Sequence, residues 1–140
     1  MSVYVVDSSV AIKWFTQEIN TAEAVRLQGC GVPLHAPDFL DVELAAIVWK
    51  KIRREGLPRA DGDFILSLLS TLNITRHVTL PLVPTAFDLA DRSGRTVYDC
   101  LYLALAVQLG GIMVTADDRL FNALADTYWA GSIVSLQNVP

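Results

Sequence analysis

The chain has 140 residues, 52% of them hydrophobic and 19% charged, which suits one domain with a substantial core and excludes intrinsic disorder. Eleven Lys and Arg stand against 15 Asp and Glu, a net charge of −4. That balance excludes a broad basic platform, so any contact with nucleic acid must come from a local patch or from a metal ion. Cys30 and Cys100 exclude a disulfide framework and allow one bridge at most. Only the short apolar run Val3 to Val6 precedes Asp7, and no apolar run nears the ~20 residues of a membrane span. The expectation is one domain over residues 1–140, with no signal peptide and a cytoplasmic location.

Residues 3–6 predict a brief buried strand, ended by Asp7-Ser8-Ser9, residue types that favour helix N-termini. Short helices follow over 10–15 and 19–28, the second closed by Gly29 and Gly31. Residues 33–37 predict a short strand or turn. Pro37-Asp38 opens a long helix over 39–54 that Gly56 and Pro58 stop, and another helix covers 59–70. Residues 74–78 predict a short strand. Pro84 fits the first turn of a helix that ends before Gly94. A helix over 96–109 closes on Gly110, and residues 112–114 form a buried strand. Asp117 or Asp118 caps a short helix running to 125, and 133–134 give a last strand. Strands alternating with helices define an α/β chain: a central parallel sheet of about four or five strands with helices on both faces.

The informative residues are Asp7, Glu43, Asp99 and Asp117. Asp7 ends the first strand, and Asp117 follows the strand over 112–114. In an open parallel sheet, ligands bind outside the carboxyl ends of the strands, so these two acids can meet over one crevice. Position alone leaves open that each merely caps the next helix. Glu43 shares a helix face with Phe39, Leu40, Ala46 and Ile47, where a carboxylate is expensive unless paired or bound to a metal. Its alternatives are a stripe edge reaching water or a lean toward Lys50. Asp41 reads as an ordinary solvated acid. Asp99 is the one charged group of the most apolar helix and lies in its first turn, where the helix dipole favours an anion. Thr96 with Asp99 also resembles a capping box.

Carboxylates without an obvious catalytic His or Cys suit a hard cation, Mg²⁺ or Mn²⁺, better than zinc. Gathered without a cation they would repel and raise one another's pKa. A divalent ion removes that repulsion, orients a water and stabilises charge on a phosphodiester. Metal chemistry thus lets an acidic protein act on a nucleic acid.

At this point the motifs carry a resemblance. Val5-Val6-Asp7-Ser8-Ser9-Val10-Ala11-Ile12-Lys13-Trp14-Phe15 resembles the N-terminal motif of PIN-domain ribonucleases, in particular the VapC-type toxins of toxin–antitoxin pairs. Glu43 within Asp41-Val42-Glu43-Leu44-Ala45-Ala46 resembles the second acidic motif. Tyr98-Asp99-Cys100-Leu101-Tyr102-Leu103-Ala104-Leu105-Ala106 resembles the third, and Val114-Thr115-Ala116-Asp117-Asp118-Arg119-Leu120 the fourth. The order and spacing run from Val3 to Val134. The resemblance implies a PIN-like fold, a Mg²⁺- or Mn²⁺-dependent endoribonuclease, a homodimer, and a small cognate antitoxin as partner beside the RNA substrate. Asp7, Asp99 and Asp117 would be the nearest metal ligands, with Glu43 in the same cluster directly or through water. Thr115 and Ser9 would support them. Ser9 stands where many relatives carry Asn, and Cys100 where Ala is common.

Lys50, Lys51, Arg53, Arg54 and Arg59 form a basic cluster, of which Lys50 and Arg54 lie on Glu43's side of the helix. Either they contact RNA phosphates or they complement a helix C-terminus. Lys13 and Arg119 can hold phosphate or pair with the acids. His35 and His77 read as isolated surface or satisfied histidines, and Trp14, Trp49 and Trp129 can stack bases but suit core or interface packing better. Ser8 and Ser9 have no nearby His, so a serine hydrolase has little support. The competing functions are a PIN nuclease of RNA processing or decay and a non-catalytic PIN-like binding module; retention of all four acids disfavours the second.

Overall fold

A computed structural model describes residues 3–140. Five strands form one parallel sheet: β1 (Tyr4–Val6), β2 (Leu34–Pro37), β3 (Thr75–His77), β4 (Ile112–Thr115) and β5 (Ile133–Ser135). Their order is β3-β2-β1-β4-β5. The helices are α1 (Ser8–Ala11), α2 (Thr21–Gln28), α3 (Phe39–Arg54), α4 (Arg59–Leu68), α5 (Val83–Ser93), α6 (Val97–Leu109) and α7 (Asp118–Leu124). The chain walks outward from β1 to β3, then returns through α6 to lay β4 against the other side of β1. The strand order therefore reverses between β1 and β4, and that reversal opens a crevice at their carboxyl ends. The register Val6↔Val114 sets Asp7 and Thr115 side by side at its floor.

Burial explains the central elements. Val5, Val6, Met113 and Val114 are fully buried, as expected for strands covered on both faces. Every side chain of α6 from Cys100 to Ala106 is buried, so this helix has no polar face to show. Gly110, in left-handed geometry (φ 64°), ends α6. Gly111 then passes so close to Val3 that an added Cβ would lie 2.6 Å from the Val3 carbonyl oxygen. This close approach lets β4 enter the sheet directly beside β1. On α3, Leu40, Leu44 and Val48 make the buried stripe.

Some local expectations change. The helix expected over 10–15 splits into α1 and a 3₁₀ turn, Ile12–Trp14. The helix expected from residue 19 starts at Thr21, because Asn20 adopts left-handed geometry (φ 66°). Asp41 is not a solvated acid: Arg76 grips it from β3 with Nε to Oδ2 at 2.8 Å and Nη2 to Oδ1 at 3.1 Å. Nor are the histidines isolated, since His35 Nδ1 and His77 Nε2 lie 2.9 Å apart across β2 and β3. Cys30 and Cys100 are both free thiols, one exposed and one buried. Of the tryptophans, Trp129 is buried and Trp14 donates to the Ala24 carbonyl at 2.7 Å, whereas Trp49 is exposed. No helix among the described residues is long and apolar enough to cross a membrane.

Candidate active site

Asp7 follows β1 and caps α1, its Oδ1 accepting from the Val10 amide at 3.2 Å. Two hydroxyls also donate to it: Ser9 Oγ to Oδ1 and Thr115 Oγ1 to Oδ2, each at 2.5 Å. Ser9 Oγ accepts from the Ala116 amide at 2.9 Å, and Thr115 Oγ1 accepts from the Asp117 amide at 3.1 Å. The carboxylate is thereby fixed from both sides of the strand reversal. Burial raises its pKa from 3.8 to about 6; the hydrogen bonds from Ser9, Thr115 and Val10 oppose the rise, and the charge of Asp99 adds to it.

Glu43 projects from the second turn of α3 and accepts a hydrogen bond from the Tyr102 hydroxyl of α6. Its carboxyl is raised, chiefly by burial and further by Asp99, against hydrogen bonds from Tyr102 and Ser8. Asp99 sits in the first turn of α6, where the Thr96 hydroxyl accepts from its amide at 3.1 Å. Burial again raises its carboxyl first; the Asp117 charge adds to this, while Thr96 and Arg95 oppose it. Asp117 caps α7, its Oδ1 accepting from the amides of Arg119 and Leu120 at 3.0 and 3.2 Å. Asp7 and Asp117 thus cap the helices that follow them, whereas α6 is capped by Thr96 and Asp99 lies within its first turn. Three of these acids resist ionisation, and each feels the charge of another. Among the described residues none of the four is within ion-pair distance of a Lys, Arg or His.

This donor set is all oxygen and makes no ion pair among the described residues, Arg95 acting on Asp99 from beyond that distance, which fits a hard divalent cation. Among the described residues no three His, Cys, Asp or Glu side chains are placed so that they could hold a metal ion as they stand; what relates the four acids is the charge that Asp7, Glu43 and Asp99 each feel from another of them. Of the basic side chains expected near them, Lys13 is engaged by Glu18 at 3.4 Å, and Glu18 also holds Lys51 at 3.3 Å. Lys50 and Arg54 are exposed, but they lie seven and eleven residues beyond Glu43 on α3, about 10 and 16 Å further along its axis. The structure does not gather them with the carboxylates.

Three residues of the site were missed by reading the sequence. Tyr102 hides inside an apolar run, although its placement one turn after Asp99 was a usable signal. Ser8 reads in the sequence as a helix-start residue and as a nucleophile without a histidine, not as a donor to Glu43. Arg95, whose charge acts on Asp99, carries a buried Nε with no hydrogen-bond partner among the described residues.

The fold agrees with the comparisons. The PIN domain family model matches residues 4–126. Ribonuclease VapC3 of Pyrobaculum aerophilum is 33% identical over 121 residues, covering 83% of this chain and 90% of its own. The chain belongs to the PIN-domain family, on its VapC ribonuclease branch. Two solved structures share the fold. Mycobacterium tuberculosis VapC20, described as a sarcin–ricin loop cleaving toxin, superposes with a TM-score of 0.66 at 15% identity, covering 86% of this chain and 95% of its own. A toxin–antitoxin complex from Klebsiella pneumoniae gives 0.62 at 14% identity, covering 97% and 99%.

Proposed function

We propose that this chain is a divalent-metal-dependent endoribonuclease and the toxin of a toxin–antitoxin pair. The observation that carries the reading is that Asp7, Glu43, Asp99 and Asp117, from four separate segments around the strand reversal, act on one another through their charges while none makes an ion pair among the described residues. Asp7, Asp99 and Asp117 would hold Mg²⁺ or Mn²⁺, with Glu43 in the same cluster. An ion held there would supply an activated water and charge stabilisation at the phosphodiester. Ser9 and Thr115 keep the Asp7 carboxylate turned into the crevice. Tyr102 holds Glu43, whose raised pKa suits it to take a proton from the attacking water.

The same reading gives the chain a small cognate antitoxin, a homodimeric state, a single domain over 1–140 and a cytoplasmic location. Exposed Trp49, Phe64 and Phe87 offer apolar surface for such partners. The test is incubation of a mixed RNA pool with Mg²⁺, with Mn²⁺ and with chelator, followed by end mapping. Defined ends that appear only with metal, and vanish in Asp99→Asn, are expected. Unchanged RNA under every condition would overturn the ribonuclease role. A complex with the product of an adjacent short reading frame on co-expression, and a dimer in light scattering, test the partners.

A further inference from the structure

The helices α3 and α6 meet along matched turns. Glu43 touches Tyr102, and the residues one turn nearer each helix N-terminus, Phe39 and Tyr98, also meet. Their rings stack with centroids 5.5 Å apart and an interplanar angle of 11°. Both helix N-termini open at the carboxyl-terminal edge of the sheet, so this pair lies about 6 Å outward from Glu43, on the solvent side of the cluster. Tyr98 is 59% exposed although its ring stacks on Phe39.

The stack is also held in place. The Phe39 amide donates to Thr79 Oγ1 at 3.0 Å, and the Thr79 amide and hydroxyl both donate to Asp38 Oδ1. That knot fixes the entry to α3 and with it the Phe39 ring under Tyr98. Arg95 stands just before α6 on the same rim. Arg95 is half-buried and makes no ion pair among the described residues, a cation beside an otherwise acidic cluster.

We propose that the Phe39–Tyr98 stack is a platform for a nucleobase flanking the cleaved phosphodiester, with Arg95 contacting the adjoining RNA phosphate. This rests on the ribonuclease reading. An open aromatic face beside a phosphodiester site suits a single-stranded base, because every base has a π-face and stacking does not need a particular sequence. The platform makes Tyr98 a positioning residue for substrate, not a participant in the chemistry.

The test uses a fluorescently labelled random-sequence single-stranded RNA and a matching abasic strand, bound in Ca²⁺ and read by anisotropy. Tyr98→Ala is expected to weaken binding of the base-bearing RNA about tenfold, the worth of one stacked base. It should leave the abasic strand unaffected, with Tyr98→Phe restoring affinity. In cleavage with Mg²⁺ the loss should fall on KM more than on kcat. Arg95→Ala should weaken both strands alike and reduce the salt dependence. Equal loss on both strands in Tyr98→Ala, or no loss on either while the wild type binds and cleaves RNA, would overturn the platform alone. A wild type that neither binds nor cleaves RNA would overturn the ribonuclease reading as well. Loss of antitoxin inhibition with intact RNA binding would assign the ring to a protein partner instead. Tyr98→Leu, which keeps apolar bulk over Phe39, with an unchanged melt, separates lost stacking from lost folding.

Discussion

Thr115 Oγ1 donates to Asp7 Oδ2 at 2.5 Å, joining the ends of β4 and β1 across 108 residues of sequence. This bond, with that from Ser9, opposes the rise in Asp7 pKa that burial causes. A hydrogen bond to a charged group is worth about 1.5–3 kcal/mol, which corresponds to about one pKa unit or more. Thr115→Val is therefore expected to move the Asp7 carboxyl above its value of about 6, while Thr115→Ser keeps it. Carbon-detected titration of the metal-free protein reads this directly. An unmoved Asp7 in Thr115→Val would mean that Ser9 and Val10 alone hold the carboxylate.

Asp7 also sets a pH dependence of stability. Its folded pKa lies above its unfolded one, so the native state holds a proton that the unfolded chain has released between pH 3.8 and about 6. The stabilisation is complete below 3.8 and is lost as pH rises through about 6. A shift of this size is worth about 3 kcal/mol. Asp7→Asn should remove that slope and raise the metal-free melting temperature near neutral pH, while greatly reducing RNA cleavage. Melting curves of both proteins across pH 4–7 in chelator check it; parallel curves would show that Asp7 is not strained by its burial.

Much of this site was legible because its residues also do local work. Asp7-Ser8-Ser9 and Asp117 sit where helix caps belong, and both follow short β-branched or apolar runs. A cap at the carboxyl end of a strand is already at the mouth of an α/β crevice. Glu43 stood out because it interrupts an apolar stripe. Tyr102 did not, because a phenol in an apolar helix is equally good core. The Arg76–Asp41 clamp and the His35–His77 pair depend on the register of β2 against β3, which no local pattern encodes. The basic cluster on α3 looked close to Glu43 by helical phase, but phase gives direction and not the distance along the axis.

The histidine pair makes an opposite pH prediction. Burial and the charge of His77 lower the His35 pKa from 6.5. The folded state then binds fewer protons than the unfolded chain. The contribution is fully present above pH 6.5 and is lost as pH falls from 6.5 through the folded value. In an Asp7→Asn background, which removes the largest of the opposing slopes from the raised carboxyls, the fall in melting temperature from pH 7 to 5 should be greater than in wild type. His77→Gln should reduce that fall. An identical fall in the double variant would place the titrating group elsewhere.

The cluster itself predicts a coupling between metal and stability. Asp7, Glu43, Asp99 and Asp117 come from the end of β1, the second turn of α3, the first turn of α6 and the entry to α7, so only folding brings them together. The metal-free native state holds charges that oppose one another, whereas the unfolded chain separates them and binds Mg²⁺ poorly. An ion that binds only the native state stabilises it by about 2.7 kcal/mol at a hundredfold excess over its dissociation constant. For a chain of this length that corresponds to a rise of roughly 8 °C in melting temperature. The gain should be largest near neutral pH and shrink below about 6, where a proton competes for Asp7. It should also collapse in Asp7→Asn and Asp99→Asn, and those variants should melt higher than wild type in chelator. Thermal melts with Mg²⁺, with Mn²⁺ and with chelator decide it. An equal metal-induced shift in wild type and both variants would place the ion outside the carboxylate cluster and sink the four-acid site.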